Sequence, residues 1–216
     1  MLIATILSQN TNDKNSHRAY VQLRKRYPRW EDVAAAPVRG IVSAIRVGGM
    51  ANQKAPRIRE TLRAVKARFG EYGLSALREM DNDGVMGELT KINGVGVKTA
   101  ACVLVFSMGR DVFPVDTHVH RICGRLGFLP KAVAPTPEKT FRLMQDLVPK
   151  GRGYSFHTNL IRFGRRICRS VAPACDQCPL YSDCVYPRKE KAGNNGRSVS
   201  KADHDFMLLD NVQVTT

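Results

Sequence analysis

Two side chains able to do covalent and acid–base chemistry, Lys98 and Asp116, each stand where a helix should begin. The lysine follows Gly94-Val95-Gly96, and the aspartate lies in Val115-Asp116-Thr117, where it can cap the next helix. Near a helix N-terminus the partial positive charge disfavours an ammonium, and partial burial acts the same way. A lysine held there as a neutral amine is a nucleophile toward C1′ of a sugar or toward an aldehyde. Taken alone, it is more simply a point charge that grips a phosphate. Asp116 tips the reading toward chemistry, because a carboxylate can take the amine's proton and stabilise positive charge developing on a deoxyribose. The same aspartate can also be a plain helix cap, and the two roles are compatible.

The glycine turn adds a grip. A helix, a Gly-Val-Gly hairpin and a second helix leave backbone N–H groups unpaired at the second helix's start. Those donors suit a phosphate oxygen, and Gly94 and Gly96 let a nucleic-acid backbone come close. A lone G-x-G also serves any tight helical turn, so the basic surroundings carry part of the weight.

A third constellation is Cys168, Cys175, Cys178 and Cys184, spaced C-x6-C-x2-C-x5-C. Four thiolates so close in sequence can close around one tetrahedral centre, either structural zinc or one cubane iron–sulfur cluster, and spacing alone does not choose between them. Cys102 and Cys123 fall within apolar helical pattern and read as core.

The charge is lopsided: 34 Lys+Arg against 19 Asp+Glu in 216 residues gives +15. The stretch from 188 to the end contributes almost none of this excess. The basic residues lie instead in the part expected to fold: 14 Lys/Arg against three acids between positions 14 and 68, and six against none between 150 and 169. A polyanion, and nucleic acid in particular, is the natural partner. The bland alternative is a solvated basic surface that only keeps the protein soluble. No stretch has the length of a transmembrane helix, and the first residues lack a charged leader and a cleavage site. The expectation is a cytoplasmic, nucleoid-associated monomer, in which six cysteines serve metal or packing rather than disulfides.

The elements that must position these residues read as helices nearly throughout. Apolar spacing marks a first helix up to Leu7, then helices over about 14–27, 37–45, 52–69 with Ile58, Leu62 and Val65 inward, 85 to the glycine turn, 98–108, 117–126, 138–148 and 154–167. Gly70, Gly73 and Gly84 mark loops, as do Pro130, Pro135 and Pro137. No alternating strand and no internal repeat appear, so the fold class is all-α. From 188 the chain turns polar and reads as a disordered tail, with Phe206-Met207-Leu208-Leu209 its only apolar patch.

The run Gly94-Val95-Gly96-Val97-Lys98-Thr99-Ala100, the Val115-Asp116-Thr117-His118 start and the cysteine quartet together resemble the endonuclease III family of helix–hairpin–helix DNA glycosylases, over about residues 2–184. The resemblance implies a six-helix barrel lobe at 14–130 carrying the hairpin at about 85–109. It implies a second lobe, from residues 1–13 and 131–187, that holds a [4Fe–4S] cluster on Cys168, Cys175, Cys178 and Cys184, with DNA bound between the lobes. Lys98 matches the family's Schiff-base lysine and Asp116 its catalytic aspartate. The implied reaction is removal of oxidised or ring-saturated pyrimidines from double-stranded DNA, followed by β-elimination 3′ to the abasic site. The partner is DNA holding damaged bases or abasic sites. A monofunctional mismatch adenine or thymine glycosylase is the alternative within the family, though such relatives typically lack the lysine. A non-catalytic iron–sulfur DNA-binding protein is the alternative outside it.

Further positions carry over from the same resemblance. Gln9 or Asn10 matches the residue that fills the gap left by a flipped base, and Met50, after Gly48-Gly49, the apolar wedge. Asp13 matches an acidic residue near the pocket, Thr99 lies in the hairpin motif and His118 in the DNA-facing segment. Three features depart from the family pattern. The chain starts where the family's second helix normally starts; Asn93 and Val97 replace a common proline and a common basic residue; and nothing beyond Tyr186 has a counterpart.

Overall fold

The computed structural model describes residues 1–129 and 136–187. Among them every regular element is helical, in keeping with the all-α expectation. The chain divides into two compact units, one comprising Met1–Arg110 and the other beginning at Asp111. The expected tail with its Phe206 to Leu209 patch, and Pro130 and Pro135, lie outside the described residues.

The first unit contains α1 (Leu2–Ser8), α2 (Asp13–Arg26), α3 (Trp30–Ala35), α4 (Val38–Ile45), α5 (Ala51–Phe69), α6 (Asn82–Thr90) and α7 (Val97–Met108). Each of α2 to α5 buries one apolar stripe, and Ile6, Leu7, Leu23, Ile41, Ile45 and Ile58 meet in a common core. Within the unit α5 packs against α1, α3 and α4, and α7 against α1 and α6. Like α1 from Leu2 to Leu7, helix α7 is buried at every residue from Thr99 to Phe106, as a helix apolar all round must be. Its C-terminus stops at Gly109, whose left-handed backbone returns an N–H to Leu104.

Caps explain where several helices begin. The Asn12 side chain accepts from the Asn15 N–H at the start of α2, and Asp81 accepts from the Gly84 N–H at the start of α6. That second cap corrects the sequence reading, which placed Gly84 in a loop. A Cβ at Gly84 would stand 2.9 Å from the Asp81 carboxylate, so the glycine is there to let the cap close. The short α3 also went unread; Asp32 caps back onto the Arg29 N–H and pairs with its guanidinium.

The second unit holds α8 (Thr117–Arg125), α9 (Pro137–Leu147) and α10 (Gly153–Arg166), with α8 packed against both others. The Asp111–Val115 stretch that leads into α8 has no regular secondary structure and is buried from Val112 on. Gln145 of α9 clamps Phe113 at both ends, accepting from its N–H and donating to its carbonyl, each at 2.9 Å. His157 of α10, itself buried, lies 2.8 Å by Nδ1 from the Pro114 carbonyl. Gly153 sits directly against the Val112 carbonyl, a position no larger residue could take. The backbone before Asp116 is thus fixed from two helices.

Candidate nucleic-acid interface and active-site residues

In the first unit the hairpin between α6 and α7 is built on two buried anchors, Ile92 and Val95, joined by a Val95 N–H to Ile92 carbonyl bond of 2.9 Å. Gly94 between them has φ +81°, a conformation that favours glycine, and stands exposed. Gly96 is different. Its backbone is extended, nothing lies within 4 Å of where a Cβ would be, and it caps α7 without a side chain. The first turn of α7 therefore presents main-chain N–H groups with no side-chain cap, beside open space. Such a terminus has the polarity to receive an anion.

Lys98 lies in that first turn, half-buried, and among the described residues its amine has no ion pair and no side-chain hydrogen bond. Thr99 is buried at 6% exposure, so its outward contribution is limited to its backbone N–H. Gln9 follows α1 half-buried, while Asn10 is exposed in the left-handed region at φ 51°. Met50 shares that strained backbone at φ 51°, is 42% exposed and starts α5. Asp13 is the first residue of α2, next to the Asn12 cap.

Sequence reasoning passed over two cations on α5. Lys54 is buried, and its ammonium donates to the Leu7 carbonyl at 2.9 Å and the Gly48 carbonyl at 2.8 Å. Burial lowers its pKa from the ordinary lysine value. Arg57, one turn on, donates to Gln9 Oε1 at 3.1 Å and also to the Gly94 carbonyl. No local pattern signals either, because the partners lie up to 48 residues away.

In the second unit Asp116 caps α8, its Oδ1 accepting from the Val119 N–H at 2.8 Å, as one of its two expected roles. Its other carboxylate oxygen has no hydrogen-bond partner among the described residues. His118 is half-buried against Gly164 of α10. Burial lowers its pKa, with Arg121 and Arg165 acting the same way against the opposing pull of Asp116. Arg121 Nη2 lies 3.1 Å from His118 Nδ1.

The four expected metal ligands follow α10, none of them in a disulfide and all of intermediate exposure. Burial pushes the Cys175 thiol up, and Cys178, Cys168 and Cys184 push it the same way; Cys178 is raised first by burial and also by Cys168 and Cys184. The four thus lie within electrostatic reach of one another. Among the described residues no group of three or more His, Cys, Asp or Glu side chains is arranged to hold a single metal ion. The donor set itself fits a thiolate-held centre, and α8 supplies the supporting cations. Arg125 donates to Cys168 Sγ at 3.3 Å and to the Arg169 carbonyl at 2.7 Å, while Arg121 donates to the Cys168 carbonyl at 2.8 Å. Cys102 and Cys123 are buried, as their apolar setting implied.

Residues 3–150 match the family described as HhH-GPD superfamily base excision DNA repair protein. Endonuclease III of Thermotoga maritima is 35% identical over 193 residues, covering 89% of this chain and 85% of its own. An Arabidopsis thaliana relative is 35% identical over 189 residues, and this chain spans 64% of its length. Among solved structures, a non-covalent endonuclease III–DNA complex superposes with a TM-score of 0.74 at 29% identity, over 88% of this chain and 83% of that one. A thermostable thymine-DNA glycosylase superposes with a TM-score of 0.73 at 26% identity, with the same coverage. No helix among the described residues is long and apolar enough to cross a membrane. An uncapped hairpin helix with an unpaired lysine, a capping aspartate and the cysteine quartet thus accompany the match: the chain belongs to the HhH-GPD superfamily of base excision DNA repair proteins, and within it to the endonuclease III family.

Proposed function

We propose that the protein is a bifunctional DNA glycosylase and abasic-site lyase acting on oxidised or ring-saturated pyrimidines in double-stranded DNA. The observation that carries this reading is Lys98: an amine with no partner among the described residues, in the uncapped first turn behind the Gly94–Gly96 hairpin. In this reading the hairpin N–H groups hold a phosphate. The Lys98 amine attacks C1′ through its lone pair, the C1′–N bond breaks and the base leaves with the electron pair. Asp116 accepts the amine's proton through its uncapped oxygen and stabilises the cationic sugar. Opening of the sugar ring then gives an imine between Lys98 and C1′. Removal of a C2′ proton then expels the 3′ phosphate, which cuts the strand. Gln9 or Asn10 fills the vacated space and Met50 wedges the stack; flipping costs a few kcal/mol and is cheapest at damaged pairs. His118 lies in the DNA-facing segment. The barrel and cluster lobes expected from the family, and a monomeric state, belong to the same reading.

Cys168, Cys175, Cys178 and Cys184 would hold a [4Fe–4S] cluster, which ties the segment after α10 into one rigid loop.

Borohydride trapping on an abasic-site or thymine-glycol duplex tests the proposal. A covalent adduct is expected with wild type and none with Lys98→Ala; an undiminished adduct in the variant would remove Lys98 from the mechanism. The likeness to a thymine-DNA glycosylase keeps a second reading in view. Base release that leaves the strand intact until alkali is added would favour a monofunctional enzyme.

A further inference from the structure

One face of α5 holds a polar clamp that the catalytic reading leaves unused. Lys54 and Arg57 are three residues apart and so share a side of the helix. Arg57 is bound twice, through Nη1 to Gln9 Oε1 at 3.1 Å and through Nη2 to the Gly94 carbonyl. Its Nε is buried without a hydrogen-bond partner, 2.7 Å from where a Cβ on Gly94 would be. A guanidinium holds its donors in a rigid planar fork, so two acceptors on one fork keep a fixed separation. Lys54 secures the same neighbourhood by joining the end of α1 to the turn before Met50. All of these atoms belong to the first unit.

We propose that Arg57 is a positioning residue that makes Gln9 and the Gly94 hairpin move as one body. Seating the hairpin on a phosphate then delivers the Gln9 side chain into the gap opposite an orphaned base. This rests on the reading of Gln9 as the gap filler. Since Arg57 can only donate, it takes the amide oxygen of Gln9 and leaves the NH2 group, a pair of donors, to meet acceptor atoms on the orphaned base. The competing role for an arginine at this place is a lone phosphate contact. The fork geometry separates the two, because a lysine can replace a point charge but cannot span both acceptors.

The test uses the full chain and a duplex with 2-aminopurine opposite a tetrahydrofuran abasic analogue, where insertion of a filler side chain alters the fluorescence without any catalysis. Wild type, Gln9→Ala, Arg57→Met, Arg57→Lys and the Gln9→Ala/Arg57→Met double variant are compared at saturating protein. The expected result is that each single change removes most of the fluorescence response and the double removes no more than either single. Arg57→Lys is expected to behave as Arg57→Met, while the slope of log affinity against log salt stays within about half a unit of wild type. Additive losses would overturn the proposal. So would wild-type behaviour of Arg57→Lys combined with a slope reduced by about one in Arg57→Met, the mark of a single phosphate contact. A normal response in Gln9→Ala would overturn it as well, by removing the filler role. Failure of the catalytic reading looks different: no base release or no borohydride adduct in wild type, whatever the fluorescence does.

Discussion

At the scale of single residues, Asp116 separates architecture from chemistry. One carboxylate oxygen caps α8, a job asparagine does nearly as well and alanine does not. Asp116→Asn is therefore expected to melt like wild type and to lose base release by a factor of about a hundred or more. Asp116→Ala should lose the same activity and also about 1 kcal/mol of stability; thermal melts beside single-turnover assays check both. His118 gives a pH signature. Its folded pKa lies below the unfolded value of 6.5, so as pH falls through that window the unfolded chain binds a proton that the folded protein refuses. Stability present above pH 6.5 is lost on acidification, and denaturant midpoints between about pH 7 and 5 should fall more steeply in wild type than in His118→Gln.

At the scale of elements, α5 is the organiser of the first unit, and its role comes from side chains that sequence patterns do not flag. Periodicity placed Ile58, Leu62 and Val65 inward, and they are buried. The same pattern gave Lys54 and Arg57 only as members of a basic helix. Their partners, the Leu7, Gly48 and Gly94 carbonyls and the Gln9 amide, are met through tertiary packing and leave no local trace. Lys54→Met keeps the length of the side chain and strands two carbonyls, at about 1–3 kcal/mol for each that water does not reach. Partly offsetting that is the desolvation of the ammonium, so a net loss of about 2 kcal/mol is expected, read as a lowered denaturant midpoint at unchanged m-value. Helix limits were legible where a cap spoke plainly, as at Asp116, whereas Pro137, read as part of a loop, is the first residue of α9. They were misread at Gly84, because a glycine that admits its own cap looks the same in sequence as a glycine that ends a helix.

For the whole molecule, the motifs most legible in sequence were those whose chemistry is local: the hairpin glycines, the capping aspartate and the cysteine quartet. What joins them was not legible. Arg121 and Arg125 run from α8 to the carbonyls of Gly164, Cys168, Arg169 and Ser170, and the Val185 N–H returns to the Arg125 carbonyl. Protein grown with iron and carrying the proposed cluster is expected to be brown. Cys178→Ser should be colourless and be cut by protease within residues 168–187, while its α-helical circular dichroism stays near that of wild type. The same clamps bear on synthesis. Those of α5 close entirely within the first 94 residues, so the first unit has these polar partners early. The arginines of α8 wait for a segment roughly 45 residues further on, and at the pace of a ribosome that is a delay of roughly 2–9 s. During that interval the α5 clamps have their partners while Arg121 and Arg125 of α8 lack theirs, so two guanidinium groups stand uncovered toward cellular polyanions.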